Sequence, residues 1–256
     1  MTQRQVLFGV ELDPLTLDET VRRCLDAVRE GEQLEIGVVN AAKLVNMRRD
    51  PRLAQAVAGC DLVLADGQAV VWAGRVLGAP LPERVAGIDL FTRLLAAAES
   101  AGMSVYFLGA KERVLELMLD QVALRFPNLR VAGSRNGYFD DSEQQAVAGA
   151  IADSGAQMLF LGMTSPKKEI FTAGYGKRTG AKVVHGVGGS FDILAGITRR
   201  APESWQRLGA EWLYRAVQEP RRLGRRYLTT NAAFLLMTAR ELIRLTPSTG
   251  PANRRH

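Results

Sequence analysis

Histidine is almost missing from this chain. The 256 residues hold two, His185 and His256, too few for a His-based metal site. Cysteine is equally scarce: Cys24 and Cys60 form no disulfide framework and fit a reducing compartment. No apolar run approaches the roughly 20 residues that span a bilayer. Met1 to Gln5 is polar and no apolar stretch with a cleavage site follows, which predicts no secretory leader. There is no Gly-x-Gly-x-x-Gly fingerprint, no P-loop, no RRM or KH signature and no internal repeat. Lysine is absent from residues 198–256.

What is present is an ordinary globular composition, 47% apolar and 23% charged, with enough chain for one or two cores. The charge is unevenly placed. Residues 1–197 hold 21 Lys and Arg against 23 Asp and Glu, whereas residues 198–256 hold 12 Arg against four Glu. The net charge of +6 is therefore a property of the tail, and it points either to a polyanionic partner or to a solvated arginine face.

The run Leu62 to Ala65 ends abruptly in Asp66-Gly67 and leads into a helix-like segment, Gln68 to Leu77. A carboxylate at the carboxyl end of a buried parallel strand lies where open α/β sheets bind ligands, but the same residue can cap the next helix. Around it, apolar strands alternate with amphipathic helices. Val6 to Leu12 reads as an edge strand or hairpin. Thr16 and Glu19 form a capping box for a helix with Val21, Cys24, Leu25 and Val28 on one face. Glu35 to Asn40 is a strand, and Asn40 either caps the helix Ala41 to Met47 or reaches a ligand; Pro51 starts another short helix. Arg84 lies in a polar loop, and Asp89 reads as the cap of a helix from Leu90 to Ala98. Val105 to Gly109, Val131 to Gly133, Met158 to Met163 and Lys182 to Gly186 are further strands.

Pro166 suits a first helical turn, which sets Lys167 and Lys168 at a helix N-terminus, against its dipole. An anion nearby would relieve them; a solvated lysine pair is the plain alternative. The cluster Gly186, Gly188 and Gly189 permits close backbone approach to phosphate or simply a tight turn, and His185 reads as a packed core residue. The pattern predicts an α/β, Rossmann-like, mostly parallel sheet flanked by helices over residues 1–197, with polar groups gathered at one sheet edge. Residues 198–256 read as a basic, amphipathic helical appendage with about ten frayed residues at its end. Trp205, Leu208, Trp212 and Ala216 fall at helical spacing, as do Leu228, Leu235, Leu242 and Ile243, with Arg221, Arg222, Arg225 and Arg226 between. Such a segment either packs its stripe on the main domain or lies at an anionic membrane surface; the absence of RNA-binding signatures argues against nucleic acid.

Taken in order, Asn40, Ala65-Asp66-Gly67, Arg84-Val85-x-Gly87-x-Asp89-Leu90, Phe107-Leu108-Gly109, Gly137-Tyr138-Phe139, Pro166-Lys167-x-Glu169, Gly186-Val187-Gly188-Gly189-x-Phe191-Asp192-x-x-Ala195-Gly196, Arg200-Ala201-Pro202, Glu211-Trp212-x-x-Arg215 and Glu219-Pro220-Arg221 are jointly specific. Over roughly residues 5 to 227 the chain resembles the WecG/TagA/CpsF glycosyltransferase family. The resemblance implies inverting, metal-independent transfer of a hexosyl or N-acetylhexosaminyl-type sugar, usually UDP-linked. It further implies a polyprenyl-diphosphate-linked saccharide as the usual acceptor and a product that feeds a cell-surface polysaccharide such as capsule or exopolysaccharide.

By that resemblance Asp66 is the base, with Asn40 and Arg84 beside it. Gly109, Tyr138, Lys167, Lys168, Glu169, Gly188, Gly189, Phe191, Asp192, Arg215, Arg221 and Arg225 are the substrate-binding candidates. No metal and no cofactor is implied, and the expected place is the cytoplasmic face of the membrane, peripherally bound. Self-association stays open. Two positions depart from the family pattern, Val38 for Thr and Lys168 for Gln, so the donor sugar is not specified. They also keep a catalytically weak nucleotide-sugar-binding scaffold in view; against an unrelated Rossmann-like oxidoreductase stands the missing dinucleotide fingerprint.

Overall fold

Alternating apolar strands and amphipathic helices need a sheet covered on both faces, and the computed structural model has one; it describes residues 3–218 and 225–245. The chain opens with an antiparallel hairpin of β1 (Gln5–Leu7) and β2 (Val10–Leu12). There follow α1 (Leu17–Glu30), β3 (Leu34–Val39), α2 (Ala41–Met47), α3 (Pro51–Ala58), β4 (Leu62–Ala65), α4 (Gln68–Val76), α5 (Gly87–Ser100), β5 (Ser104–Gly109) and α6 (Glu112–Arg125). Then come β6 (Arg130–Arg135), α7 (Gln144–Asp153), β7 (Met158–Gly162), α8 (Lys167–Tyr175), β8 (Val183–Gly186) and α9 (Ser190–Leu194). The C-terminal part adds α10 (Glu203–Arg207), α11 (Glu211–Gln218) and α12 (Arg225–Leu245).

The six-stranded sheet has the order β4-β3-β8-β7-β5-β6, and every pair in it is parallel. One face, with Ile36, Leu62, Val105 and Phe160, packs on α1, α5 and α6. The other face is covered in two parts. Val39, Val63 and Ala65 meet α2, α3, α4 and α12, while Leu108, Leu159 and Leu161 meet α7 and α8. After β5 the chain passes through α6 outward to β6; after β7 it passes through α8 the other way to β8. Helices α6 and α8 lie on opposite faces, so a crevice opens at the carboxyl ends of β5 and β7, the kind of switch point where open α/β sheets take ligands.

Local signals explain the helix starts. Glu19 N–H donates to Thr16 Oγ1 at 3.2 Å and Thr16 N–H to Glu19 Oε2 at 2.8 Å, the capping box expected. Asn40 Oδ1 accepts from Lys43 N–H at 3.0 Å, so Asn40 caps α2. Asp50 caps α3, with Pro51 in its first turn.

Three local readings are corrected. Asp66 does not cap α4, whose N-cap is Gly67 without a side-chain bond. Asp89 does not begin its helix: α5 starts at Gly87 behind Ala86, and Asp89 lies inside the first turn. The stripe Trp205 to Ala216 is not one helix face, because Gly209 at φ +64 separates α10 from α11. On α12 the inward residues are Thr230, Phe234 and Met237, while Leu228, Leu235 and Ile243 are exposed. Both sets have helical spacing. Packing decides between them: Phe234 and Met237 join Leu44 and Val45 of α2, and the Phe8 ring meets Phe234 edge-on at 5.4 Å.

Candidate active site

Asp66 stands at the carboxyl end of β4. Its own N–H donates to Val39 O at 2.8 Å, which continues the β3–β4 ladder through the acid. Its Oδ1 accepts from Gly87 N–H at 2.9 Å, so the carboxylate sits against the positive end of α5. Gly67 packs tightly here: a Cβ on it would lie 3.2 Å from Asn40 Cβ, which would have to give by a few tenths of an ångström. Asn40 and Asp66 are thus drawn together at two neighbouring strand ends, both half-buried.

His185 approaches the same peptide from β8. Its Nε2 lies 3.3 Å from Gly87 O, so Nε2–H is the donor and Nδ1 has no hydrogen-bond partner. Complete burial pushes its pKa down to about 4. His185 is therefore a neutral buried prop under the start of α5, as its strand position suggested.

Arg84 precedes α5 and faces the C-terminal segment. Its guanidinium donates to Glu211 Oε2 at 3.0 Å and Gln206 Oε1 at 3.2 Å, with Asp89 Oδ2 at 3.7 Å. Arg200 grips Asp89 through two bonds of 2.6 Å and also reaches Gln206 at 2.9 Å. Paired arginine–carboxylate forks are strong and directional. They fasten α10 and α11 beside the α5 N-terminus and frame a polar cavity of about 460 Å³ lined by Gln68, Glu83, Arg84, Asp89, Arg200 and Gln206.

On the other side of the sheet edge, three features are packed to contact. A Cβ on Gly109 would meet Gly162 backbone at 2.4 Å, and one on Gly162 would meet the Phe191 ring at 2.3 Å. Gly186 is pressed by Lys168, whose Cδ would lie 3.0 Å from a Cβ there. Lys168 is buried and pairs with Glu169 Oε1 at 2.9 Å; Lys43, from α2, pairs with the same oxygen at 2.6 Å. Burial alone would raise the Glu169 pKa, but the two ammonium groups outweigh it and hold it at about 2. Burial, then Lys43, pushes Lys168 down to about 8.

The structure brings Asn40, Asp66, Lys168, Glu169, Gly188 and Gly189 to one edge of the sheet. It differs from the sequence reading elsewhere. Lys167 does not turn to the glycine loop: its ammonium donates to Gly137 O at 3.0 Å and Phe139 O at 2.8 Å and lies 4.1 Å from the Phe139 ring centre. Phe191 is completely buried among Phe91, Phe107 and Phe160, so it walls the crevice from behind. Tyr138 is exposed, Gly109 buried and Asp192 half-buried. Arg215 and Arg225 lie on α11 and α12, and Arg221 falls outside the described residues.

Sequence reasoning passed over Lys43, Asp89 as an arginine partner, Gln206 and Glu211. Asp89 and Arg200 stood as opposite charges in two quoted motifs, but at 111 residues apart nothing in the sequence paired them. Lys43 carried no signal, since a lysine on a short helix usually faces water. Among the described residues no group of three or more His, Cys, Asp or Glu could hold a metal ion, and no helix is long and apolar enough to cross a membrane.

A family model described as "Glycosyl transferase WecG/TagA/CpsF family" matches residues 5–248. The chain is also similar to an N-acetylglucosaminyldiphosphoundecaprenol N-acetyl-beta-D-mannosaminyltransferase of Bacillus spizizenii. The two are 37% identical over 174 residues, which cover 68% of this chain and 67% of that relative.

Proposed function

The chain belongs to the WecG/TagA/CpsF glycosyltransferase family, and from that premise we propose that it transfers a hexosyl or N-acetylhexosaminyl-type sugar, with inversion, from a UDP-linked donor to a polyprenyl-diphosphate-linked saccharide. The relative's name supports the acceptor class, since it specifies an N-acetylglucosaminyl diphosphoundecaprenol. The product enters a cell-surface polysaccharide, and the work is done peripherally at the inner face of the cell membrane.

The single observation that carries the mechanism is the Asp66 carboxylate. One oxygen is held by Gly87 N–H, and among the described residues no other hydrogen bond engages the group. It takes the proton of the acceptor hydroxyl as that oxygen attacks the anomeric carbon. The bond to the diphosphate oxygen breaks, and the nucleoside diphosphate leaves with the electron pair. Its growing charge needs donors that are already oriented. The backbone at Gly189 and the tail arginines are suited to that task, whereas the Gly188 N–H already donates to Leu161 O at 3.1 Å. Arg84, held by Glu211 and Gln206, borders the polar cavity where the sugar or a phosphate fits.

The test replaces Asp66 by Asn and by Ala and reads product mass from UDP-sugars and a lipid-diphosphate acceptor. Turnover is expected to fall by about 100-fold or more, the usual share of a general base, while UDP binding persists. Undiminished turnover removes Asp66 from the base role. A parent protein that binds UDP-sugars and transfers to no lipid-linked acceptor is instead a scaffold of an assembly complex.

A further inference from the structure

The pair of lysines behind the glycine loop is costly as plain architecture. Lys43 occupies the third position of α2 and Lys168 the second position of α8, so both ammonium groups oppose a helix dipole. Both side chains are about nine-tenths buried. Burying an ammonium is unfavourable unless it is well paired. Here one carboxylate serves both, and through one oxygen: Lys43 Nζ and Lys168 Nζ converge on Glu169 Oε1, while Glu169 Oε2 is buried with no hydrogen-bond partner. The single carboxylate therefore carries a second buried positive charge that it cannot neutralise.

The position of that charge is specific. Lys168 runs along β8, its Cδ and Cε against Gly186, and its Nζ would lie 3.8 Å from a Cβ at Gly188. Side chains at 186 and 188 would crowd the ammonium; glycines leave it beside a backbone that is partly open to solvent. Gly188 is at φ +54, which turns the loop there. The Lys168 ammonium is also near enough to Asp66 to feel its charge. A buried cation, an open glycine loop and the strand-end acid therefore meet at one place.

We infer that Lys168, steadied by Glu169 and Lys43, is the anion-binding group of the glycine loop and takes an anionic oxygen of the donor substrate. The oxygen comes either from the diphosphate or from a carboxylate carried on the sugar. The inference rests on the nucleotide-sugar reading above and names the group that the donor presents to this loop. Lys43 is a positioning residue: it shares Glu169 and keeps that carboxylate from neutralising Lys168 alone.

The charged form of Lys168 binds, so affinity falls as pH rises through about 8. The facing groups are Lys43, Glu169, Asp66 and His185, with Cys60 beside Lys43 and Glu169. Glu169, with its pKa near 2, and His185, near 4, do not change charge between pH 7 and 9.5, and burial pushes Cys60 to about 12.

The experiment is calorimetric titration of the full chain with inorganic pyrophosphate, UDP, UDP-glucose, UDP-glucuronate and uridine, for the parent, Lys168→Gln and Lys168→Met. If the diphosphate is the source, both variants lose tenfold or more for pyrophosphate, UDP and both UDP-sugars, with uridine unchanged. If the sugar carboxylate is the source, the loss is confined to UDP-glucuronate. Equal affinities in parent and variants, an equal loss for uridine, or a parent that binds none of the anions overturns the inference. Should both variants fail to fold, UDP-glucuronate affinity of the parent that stays flat from pH 7 to 9.5 overturns it, since that ligand carries both candidate groups. Lys43→Gln leaves Glu169 to Lys168 alone, so it is expected to weaken anion binding at pH 7 and to move the pH midpoint upward, a shift that a merely structural role would not produce. The readout is binding, so it separates from the transferase reading. Turnover without Lys168 dependence rejects only this site, and a Lys168-dependent anion site without turnover rejects only the transfer.

Discussion

Glu35 lies on β3 at the amino end of the sheet, away from Asp66, and is buried beside Asp61 and Cys60. Burial first, and the Asp61 charge second, push its pKa from 4.5 up to about 7, with Lys177 offsetting part. A raised value means that folding favours the protonated acid. Its contribution is fully present below pH 4.5 and is lost as pH rises through about 7. Glu35→Gln is therefore expected to melt above the parent at pH 8, by the equivalent of about 2 kcal/mol, with the gap closing towards pH 5. Thermal melts at the two pH values check it, and an equal gap at both would refute the titration. No residue-by-residue reading of Leu34 to Val39 marks Glu35 as buried, because its partners come from α3's far end and from the turn at Gly176. Asp66 was legible for the opposite reason: an acid directly after four apolar residues is at a strand end by local pattern alone. Asp89 was not, since its bidentate partner Arg200 lies 111 residues away.

At the scale of elements, strand and helix identities follow from short-range pattern, and their junctions follow from contact. Gly162 ends β7 under the Phe191 ring, with three ring carbons 2.3 to 2.6 Å from where a Cβ would stand. Gly162→Ala should destabilise the fold by about 1–3 kcal/mol, the usual range for overpacking, and Phe191→Leu should recover part of it in the double variant. Denaturant titration of the three variants measures this; additive losses would mean that the ring is not what the methyl meets. The start of α1 is a local matter by comparison. Thr16→Ala removes one half of the capping box and is expected to cost about 1 kcal/mol, read from the same titration, with no effect on sugar transfer. The capping box could be read from Thr16 and Glu19 alone. The Gly162–Phe191 contact could not, because a glycine in a strand end is equally compatible with a bulge or a turn.

At the scale of the molecule, the basic C-terminal segment is tied to the α/β unit at two places. Arg84 and Arg200 fasten α10 and α11 near the α5 start, and Phe234 and Met237 of α12 enter the apolar cluster over β3 and β4. The outward side of α12 keeps Leu228, Leu235, Leu236 and Ile243 in solvent, and Arg48, Arg49 and Arg240 line a small groove of about 190 Å³ between α2 and α12. Apolar and cationic side chains on one surface suit the boundary of an anionic bilayer, where each cation adds about 1 kcal/mol. Replacing Arg221, Arg222, Arg225 and Arg226 by Gln should weaken co-sedimentation with anionic vesicles by about tenfold or more and flatten its salt dependence. Equal binding by variant and parent would exclude these arginines as the anchor.

The sequence by itself determined the parallel α/β architecture, the edge of the sheet where the candidate site residues gather, the candidate acid at position 66 and the charge asymmetry of the tail. All of these are carried by local periodicity, strand-end chemistry and composition, which act within a few residues. Tertiary structure decided which of two equally periodic faces of α12 turns inward, because Phe234 and Met237 meet α2 and Phe8. It decided that Lys167 serves backbone carbonyls while its neighbour Lys168 is buried against the glycine loop. It also joined Lys43 to Glu169 across 126 residues. Such choices depend on which atoms long-range packing brings within about 3 Å, a quantity no spacing along the chain encodes.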